Sequence, residues 1–157
     1  KKNGIDYQVI NDSRYPKDKN KEYEIVLNNY QPDVILLAGF MKKIPDSIIQ
    51  SYKNKIMNIH PSLLPKYGGQ GCYGIKVHEA VIESRDKVTG VTIHFIDNEY
   101  DRGHIIMQAE VPVDDSDDAN TLSKRVLGME YKLYLKVVEL FCSNKIKIEK
   151  DKVIINE

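Results

Sequence analysis

Tryptophan is absent from these 157 residues, and cysteine occurs only twice, as Cys72 and Cys142. Two thiols far apart in dissimilar contexts form neither a disulfide framework nor a metal spacing, and they suit a reducing compartment, with cytoplasm as the expected location. No apolar run approaches the ~20 residues of a membrane span, and no signal-type apolar segment is present, so neither a membrane partner nor export is supported. Charge of one sign is missing too, since 23 basic residues balance 23 acidic ones. Without a basic surplus there is no electrostatic footprint for nucleic acid or an anionic membrane, which leaves small, discrete ligands as the expected partners. Internal repeats and low-complexity segments are also lacking. The chain begins with Lys1 rather than methionine, so a fragment is one reading.

What is present alternates between two periods. Tyr7-Gln8-Val9-Ile10 reads as a strand. Tyr23, Val26, Leu27 and Tyr30 fall on one helical face that Pro32 ends. Val34 to Ala38 is continuously apolar, as expected of a strand covered on both faces. A short helix from Asp46 to Tyr52 and a strand at Ile56-Met57-Asn58-Ile59 then complete a strand–helix–strand crossover. A further helix is expected from Ile75 to Ser84. Val91 to Ile96 and Ile105 to Val111 make a hairpin in which Val91, Ile93 and Phe95 face the core, and Thr92, His94 and Ile96 face away. Asp117 or Asp118 can cap a long helix reaching about Cys142, with the core stripe Leu122, Val126, Met129, Leu133, Val137 and Leu140. Lys145 to Ile148 and Val153 to Ile155 read as a terminal hairpin. The expected fold is α/β, a Rossmann-like, mostly parallel sheet flanked by helices, in one domain long enough to bury most of its apolar surface.

Chemistry concentrates at Asn58-Ile59-His60-Pro61-Ser62-Leu63-Leu64-Pro65. Proline cannot donate to a ladder, so the strand stops there and leaves Asn58 and His60 at its carboxyl end, where ligands bind in open α/β sheets. Residues two apart share a side, so one amide donor and one imidazole share a face. The segment Tyr67 to Gly74 holds four glycines in eight residues and could cradle an anion with backbone N–H groups; since it lacks the lysine and spacing of a phosphate loop, a mobile lid is the preferred reading. The hairpin tip brings Asp97 and Asp101 near one place, and Glu130 borders the long helix's apolar stripe. Taken singly, such carboxylates are ordinary solvated or ion-paired surface groups, and a lone strand histidine such as His94 is usually structural.

In combination these segments resemble the folate-dependent formyltransferases, and within them the enzymes acting on glycinamide ribonucleotide. The residues that carry the resemblance are Leu37 to Met41, Asn58 to Pro65, His94-Phe95, Asp101-Arg102-Gly103 and Glu130, in matching order over nearly the whole chain. The resemblance implies transfer of a formyl group from 10-formyltetrahydrofolate to the amine of glycinamide ribonucleotide in purine biosynthesis, with no metal. It implies that Asn58 donates to the developing oxyanion, that His60 is the general acid, and that Asp101 orients His60 and raises its pKa, with His94 in support. Met41, Lys42, Lys43 and Ile44, together with Asn58 and the backbone of Ile96, Asp97, Asn98, Glu99 and Tyr100, would line the folate pocket, and Glu130 would hold the nucleotide's ribose. A monomer or homodimer is expected.

Three departures stand out. The glycine-rich stretch Gly68 to Gly74 is longer than in many members of the family, in a region where they have a mobile loop. Lys42 occupies a position where the family often has arginine, keeping the charge and losing the planar fork. The family's first strand and its phosphate-binding loop do not precede Lys1, so the expectation is a formyltransferase domain lacking that N-terminal segment. Other readings are a formyltetrahydrofolate hydrolase, which resembles the chain less at Pro61 to Leu64, and a methionyl-tRNA formyltransferase, whose additional C-terminal domain has no room here. A folate-binding module without turnover is the remaining one.

Overall fold

The computed structural model describes residues 3–11, 13–15 and 19–156. They fall into two compact units, divided between Asp33 and Val34. In the first, residues 5–10 are not paired into a strand. The strand expected at residues 7–10 is corrected accordingly, and the reason is physical: among the described residues no second strand offers that segment a ladder. Helix α1 (Lys19–Tyr30) follows. Its end is set at Gln31, which takes a left-handed φ of 45° and donates its N–H to the Leu27 carbonyl at 2.8 Å, with Pro32 blocking continuation.

The second unit carries β1 (Ile35–Leu37), α2 (Asp46–Ser51), β2 (Ile56–His60), α3 (Ile75–Glu83), β3 (Val88–Phe95), β4 (Ile105–Pro112), α4 (Ala119–Cys142), β5 (Ile146–Glu149) and β6 (Lys152–Ile155). The sheet order is β1-β2-β3-β4. Only β1 and β2 run parallel; β2 pairs antiparallel with β3, and β3 with β4. Over the described residues the sheet is therefore mixed rather than mostly parallel. The strand–helix–strand crossover forms as expected through α2. The α3 connection returns the chain antiparallel, a choice that helix and strand periodicity does not encode.

Seven of the eight β3 positions are buried, so both of its faces are covered. Val91, Ile93 and Phe95 pack into the core with Leu122, Val126, Leu133 and Val137 of α4. The opposite face meets the turn after His60. Thr92 Oγ1 donates to the Ser62 carbonyl at 2.7 Å and accepts from the Leu64 N–H at 3.0 Å, while Gln108 Nε2 donates to the Leu64 carbonyl at 3.0 Å. Gly90 is where that turn presses closest, since a Cβ there would strike the Leu63 side chain and the Ala109 carbonyl.

Helix α4 starts at a reciprocal cap: Asp118 accepts from the Thr121 N–H, and the Thr121 hydroxyl accepts from the Asp118 N–H. Asp117 pairs with Arg125 instead. Met129 lies at the core's edge and Leu140 is half-buried, so the expected stripe is fully buried at its other four positions. The terminal hairpin turns through Lys150 and Asp151, both at positive φ as a type I′ turn requires, and sets Ile146, Ile148, Val153 and Ile155 against the core.

One α4 side chain ties the helix to the sheet. The Tyr134 hydroxyl lies 3.0 Å from the carbonyls of both Leu37 and Met57, across β1 and β2 beside Asn58. Burial holds its phenol well above the ordinary pKa, so it remains a donor. Tyr134→Phe should cost about 1 kcal/mol, the net worth of a hydrogen bond of this kind, read as a lowered thermal midpoint in calorimetry.

Candidate active site

Strand β2 delivers Asn58 and His60 from its carboxyl end, and the antiparallel register sets Asn58 opposite His94 and His60 opposite Thr92. The third member arrives from the β3–β4 connection. There Asp101 takes a left-handed φ of 55°, and Gly103 brings the chain back so tightly that a Cβ would overlap the Phe95 carbonyl oxygen. That close approach explains a glycine two residues after the aspartate.

The hydrogen-bond partners fix which nitrogens carry protons. His60 Nε2 is 2.8 Å from the Tyr67 carbonyl and His94 Nδ1 is 2.9 Å from the Phe95 carbonyl; a carbonyl only accepts, so both nitrogens are N–H donors. Neutral His94 then accepts at Nε2 from Asn58 Nδ2, 3.2 Å away. This uses one amide proton of Asn58 and leaves the other free. His60 Nδ1 faces Asp101 Oδ2 at 3.6 Å, and His94 Nε2 faces Asp101 Oδ1 at 3.5 Å. Asp101 Oδ2 also accepts from the Gly69 N–H at 2.9 Å.

Burial pushes the Asp101 pKa up, but the His94 contact, the Gly69 N–H and the His60 field outweigh it, and the carboxyl ends below its usual range. For His60 the balance tips the other way. Burial lowers its pKa, and the upward pulls of Asp101 and the Tyr67 carbonyl do not restore it. Asp101 thus pulls the His60 pKa upward as expected, while burial sets the net direction downward. His60 is only 3% exposed, and the loss of solvation wins.

These groups open on a cavity of about 630 Å³. Its wall includes Asn58, His60 and Asp101, every position expected for folate (Met41, Lys42, Lys43, Ile44, Ile96, Asp97, Asn98, Glu99, Tyr100), and Glu130. His94 stands behind the wall. Glu130 makes no hydrogen bond or ion pair among the described residues, and burial raises its pKa. The glycine-rich segment contributes Gly69 to Gly74 to the same wall, as a covering loop would.

Three participants went unread in the sequence: the Tyr67 carbonyl, the Gly69 N–H and His78. The first two are backbone groups, which side-chain patterns do not announce. His78 lines the cavity at 4% exposure with Nδ1 unpartnered among the described residues, and its pKa is lowered by burial and by His60. Its signal was a polar residue beside the apolar pair Val77 and Val81. Among the described residues no helix is long and apolar enough to cross a membrane, and no group of His, Cys, Asp and Glu could hold a metal.

The family model described as formyl transferase matches residues 1–138. The chain belongs to the formyl transferase family. It is 46% identical over 154 residues to a chloroplastic phosphoribosylglycinamide formyltransferase of Arabidopsis thaliana, covering 96% of this chain and 53% of that one. It is 36% identical over 140 residues to phosphoribosylglycinamide formyltransferase of Escherichia coli K12, covering 89% of this chain and 63% of that one. The crystal structure of phosphoribosylglycinamide formyltransferase from Anaplasma phagocytophilum is similar at a TM-score of 0.87 and 36% identity, over 98% of this chain and 72% of that one. The chain thus spans about half the length of the Arabidopsis relative. The mixed, helix-flanked sheet is the Rossmann-like fold of this family.

In the full-length protein His60 should titrate below pH 6.5, and Asp101→Asn should lower it further by removing an upward pull. Proton NMR of the imidazole resonance checks both. Protonation of His60 and His78 is disfavoured in the folded chain, so their stabilising contribution is complete above pH 6.5 and is lost as pH falls through their lower folded values.

Proposed function

We propose that the protein containing this chain transfers the formyl group of 10-formyltetrahydrofolate to the amine of glycinamide ribonucleotide, and that the chain is part of one formyltransferase domain. The observation that carries the reading is the convergence of a free Asn58 amide proton, the His60 imidazole and the Asp101 carboxylate on one cavity within a formyl transferase family member. The amine nitrogen attacks the formyl carbon, a C–N bond forms, and the carbonyl oxygen becomes an oxyanion that Asn58 meets with its remaining N–H. Collapse breaks the bond from that carbon to the folate nitrogen, and one proton passes from the amine to the departing nitrogen.

His60 suits that proton's path, with Nε2–H committed to Tyr67 and Nδ1 as the nitrogen that exchanges. Because its pKa is lowered, the resting imidazole is neutral near pH 7. It first accepts the amine's proton as a base and then returns it as an acid. Asp101 stabilises the transient imidazolium. The cavity falls within the usual range for small-molecule sites, its 41–44 and 96–100 segments suit a flat ring system, and the unpaired Glu130 suits ribose hydroxyls. A metal is not needed for these steps. Both cysteines are free, which suits a reducing interior; cytoplasm and a monomer or homodimer remain part of the proposal.

An assay with isotopically labelled formyl donor tests the reading. Label should appear on the nucleotide amine; label released only as formate would replace transferase by hydrolase. Asn58→Ala should reduce turnover by a hundredfold or more, as loss of one oxyanion donor does, with circular dichroism unchanged. Glu130→Gln should weaken nucleotide binding and leave folate binding intact in calorimetric titrations; equal weakening of both would make Glu130 structural.

A further inference from the structure

Tyr67 is held in a way that packing alone does not require. Its φ is 57°, a left-handed conformation that a bulky non-glycine residue rarely adopts. Its carbonyl accepts from His60 Nε2 at 2.8 Å. At the other end of the side chain, the hydroxyl donates to Asp86 Oδ2 at 2.7 Å, and Lys66 Nζ reaches the same oxygen at 2.5 Å while lying 5.1 Å from the Tyr67 ring centroid. Asp86 sits just beyond α3, remote in sequence from both β2 and the turn. The turn is also gripped before and after Tyr67: Ser62 Oγ donates to the Lys66 carbonyl at 2.6 Å, and the Gly69 N–H donates to Asp101. A Cβ on Gly68 would strike the Leu64 side chain and come within 3.3 Å of the Asp101 Cβ. One strained turn therefore gives an acceptor to His60 and a donor to Asp101, and its ring is moored to a carboxylate outside the cavity's wall.

We infer that Tyr67, moored through its hydroxyl to Asp86, is a positioning residue that fixes the tautomer and aim of His60. The hydroxyl touches no reacting atom. It acts by keeping the left-handed backbone at residue 67 in place, so that the carbonyl holds the Nε2 proton and leaves Nδ1 as the nitrogen facing Asp101. Without the mooring the backbone relaxes toward ordinary φ, the carbonyl swings off His60, and the imidazole samples both tautomers. The kinetic consequence rests on the proposed formyl transfer; the tautomer consequence does not.

The test uses full-length protein with Tyr67→Phe, Asp86→Ala and the double variant. In ¹⁵N-detected NMR, wild-type neutral His60 should show Nε2 protonated and Nδ1 bare, and each variant should show the two nitrogen shifts moving toward one another. In the transfer assay kcat should fall on the order of tenfold, as misplacement of a catalytic group does, with KM for both substrates little changed. Because both residues serve one mooring, the double variant should lose no more than either single one. Unchanged His60 nitrogen shifts in both single variants would overturn the inference, as would additive losses in the double. If Tyr67→Phe fails to fold, Asp86→Ala, which leaves the turn's own sequence intact, decides alone. Wild-type protein without transferase activity would refute the proposed function, and the NMR comparison would still decide the mooring.

Discussion

A single carboxylate placed between two buried imidazoles is the constraint on which the site depends. Asp101 reaches His60 through one oxygen at 3.6 Å and His94 through the other at 3.5 Å. Both separations exceed a normal hydrogen bond, so these are electrostatic contacts that tighten only when a proton sits between the groups. One negative charge can compensate one imidazolium. Two positive charges there would have to share that one carboxylate. His94 has its Nδ1 proton committed to Phe95 and accepts from Asn58, which leaves His60 as the member with a nitrogen available to substrate. The same His94 contact orients the Asn58 amide, so the proposed oxyanion donor and proton carrier are set by one cluster.

Holding that cluster is the task of the surrounding fold. Tyr134 spans β1 and β2 beside Asn58, the Thr92–Ser62–Leu64–Gln108 network fixes the turn after His60, and the tight passage at Gly103 aims Asp101. The first two are buried or half-buried polar contacts with their partners met, which gives them geometric authority, because an alternative arrangement would strand a polar group. His78 Nδ1 and Thr89 Oγ1 are the fully buried side-chain atoms among the described residues that lack such partners. Of the two, His78 faces the cavity.

Much of this was legible in the sequence, for reasons that can be named. The apolar spacing of α4 and the alternation in β3 and β4 are local patterns, and the asparagine and histidine two apart before Pro61 had to share a face wherever the strand went. The Asp118 cap could be narrowed to two residues but not chosen, because Asp117 is equally suited until Arg125 takes it. The direction of β3 was not legible, since whether an intervening helix returns the chain parallel or antiparallel depends on what covers the sheet. The segment at residues 7–10 has strand composition, yet composition cannot supply a partner. The upward pull of Asp101 on His60 was legible because an aspartate is visible in a sequence, whereas the depth of burial that outweighs it is not. Tyr67 and Gly69 act through backbone atoms, which any residue type could present.

In the proposed mechanism neutral His60, poised beside an ionised Asp101, is the form that works. The pH dependence of kcat/KM for formyl transfer by the full-length protein tests it most directly, since it reports ionisations of the free enzyme. Activity should be lost on the acid side along a limb governed by a group titrating below pH 6.5, the direction in which burial moves His60. A limb centred above that value, or activity that rises as His60 becomes protonated, would contradict the account.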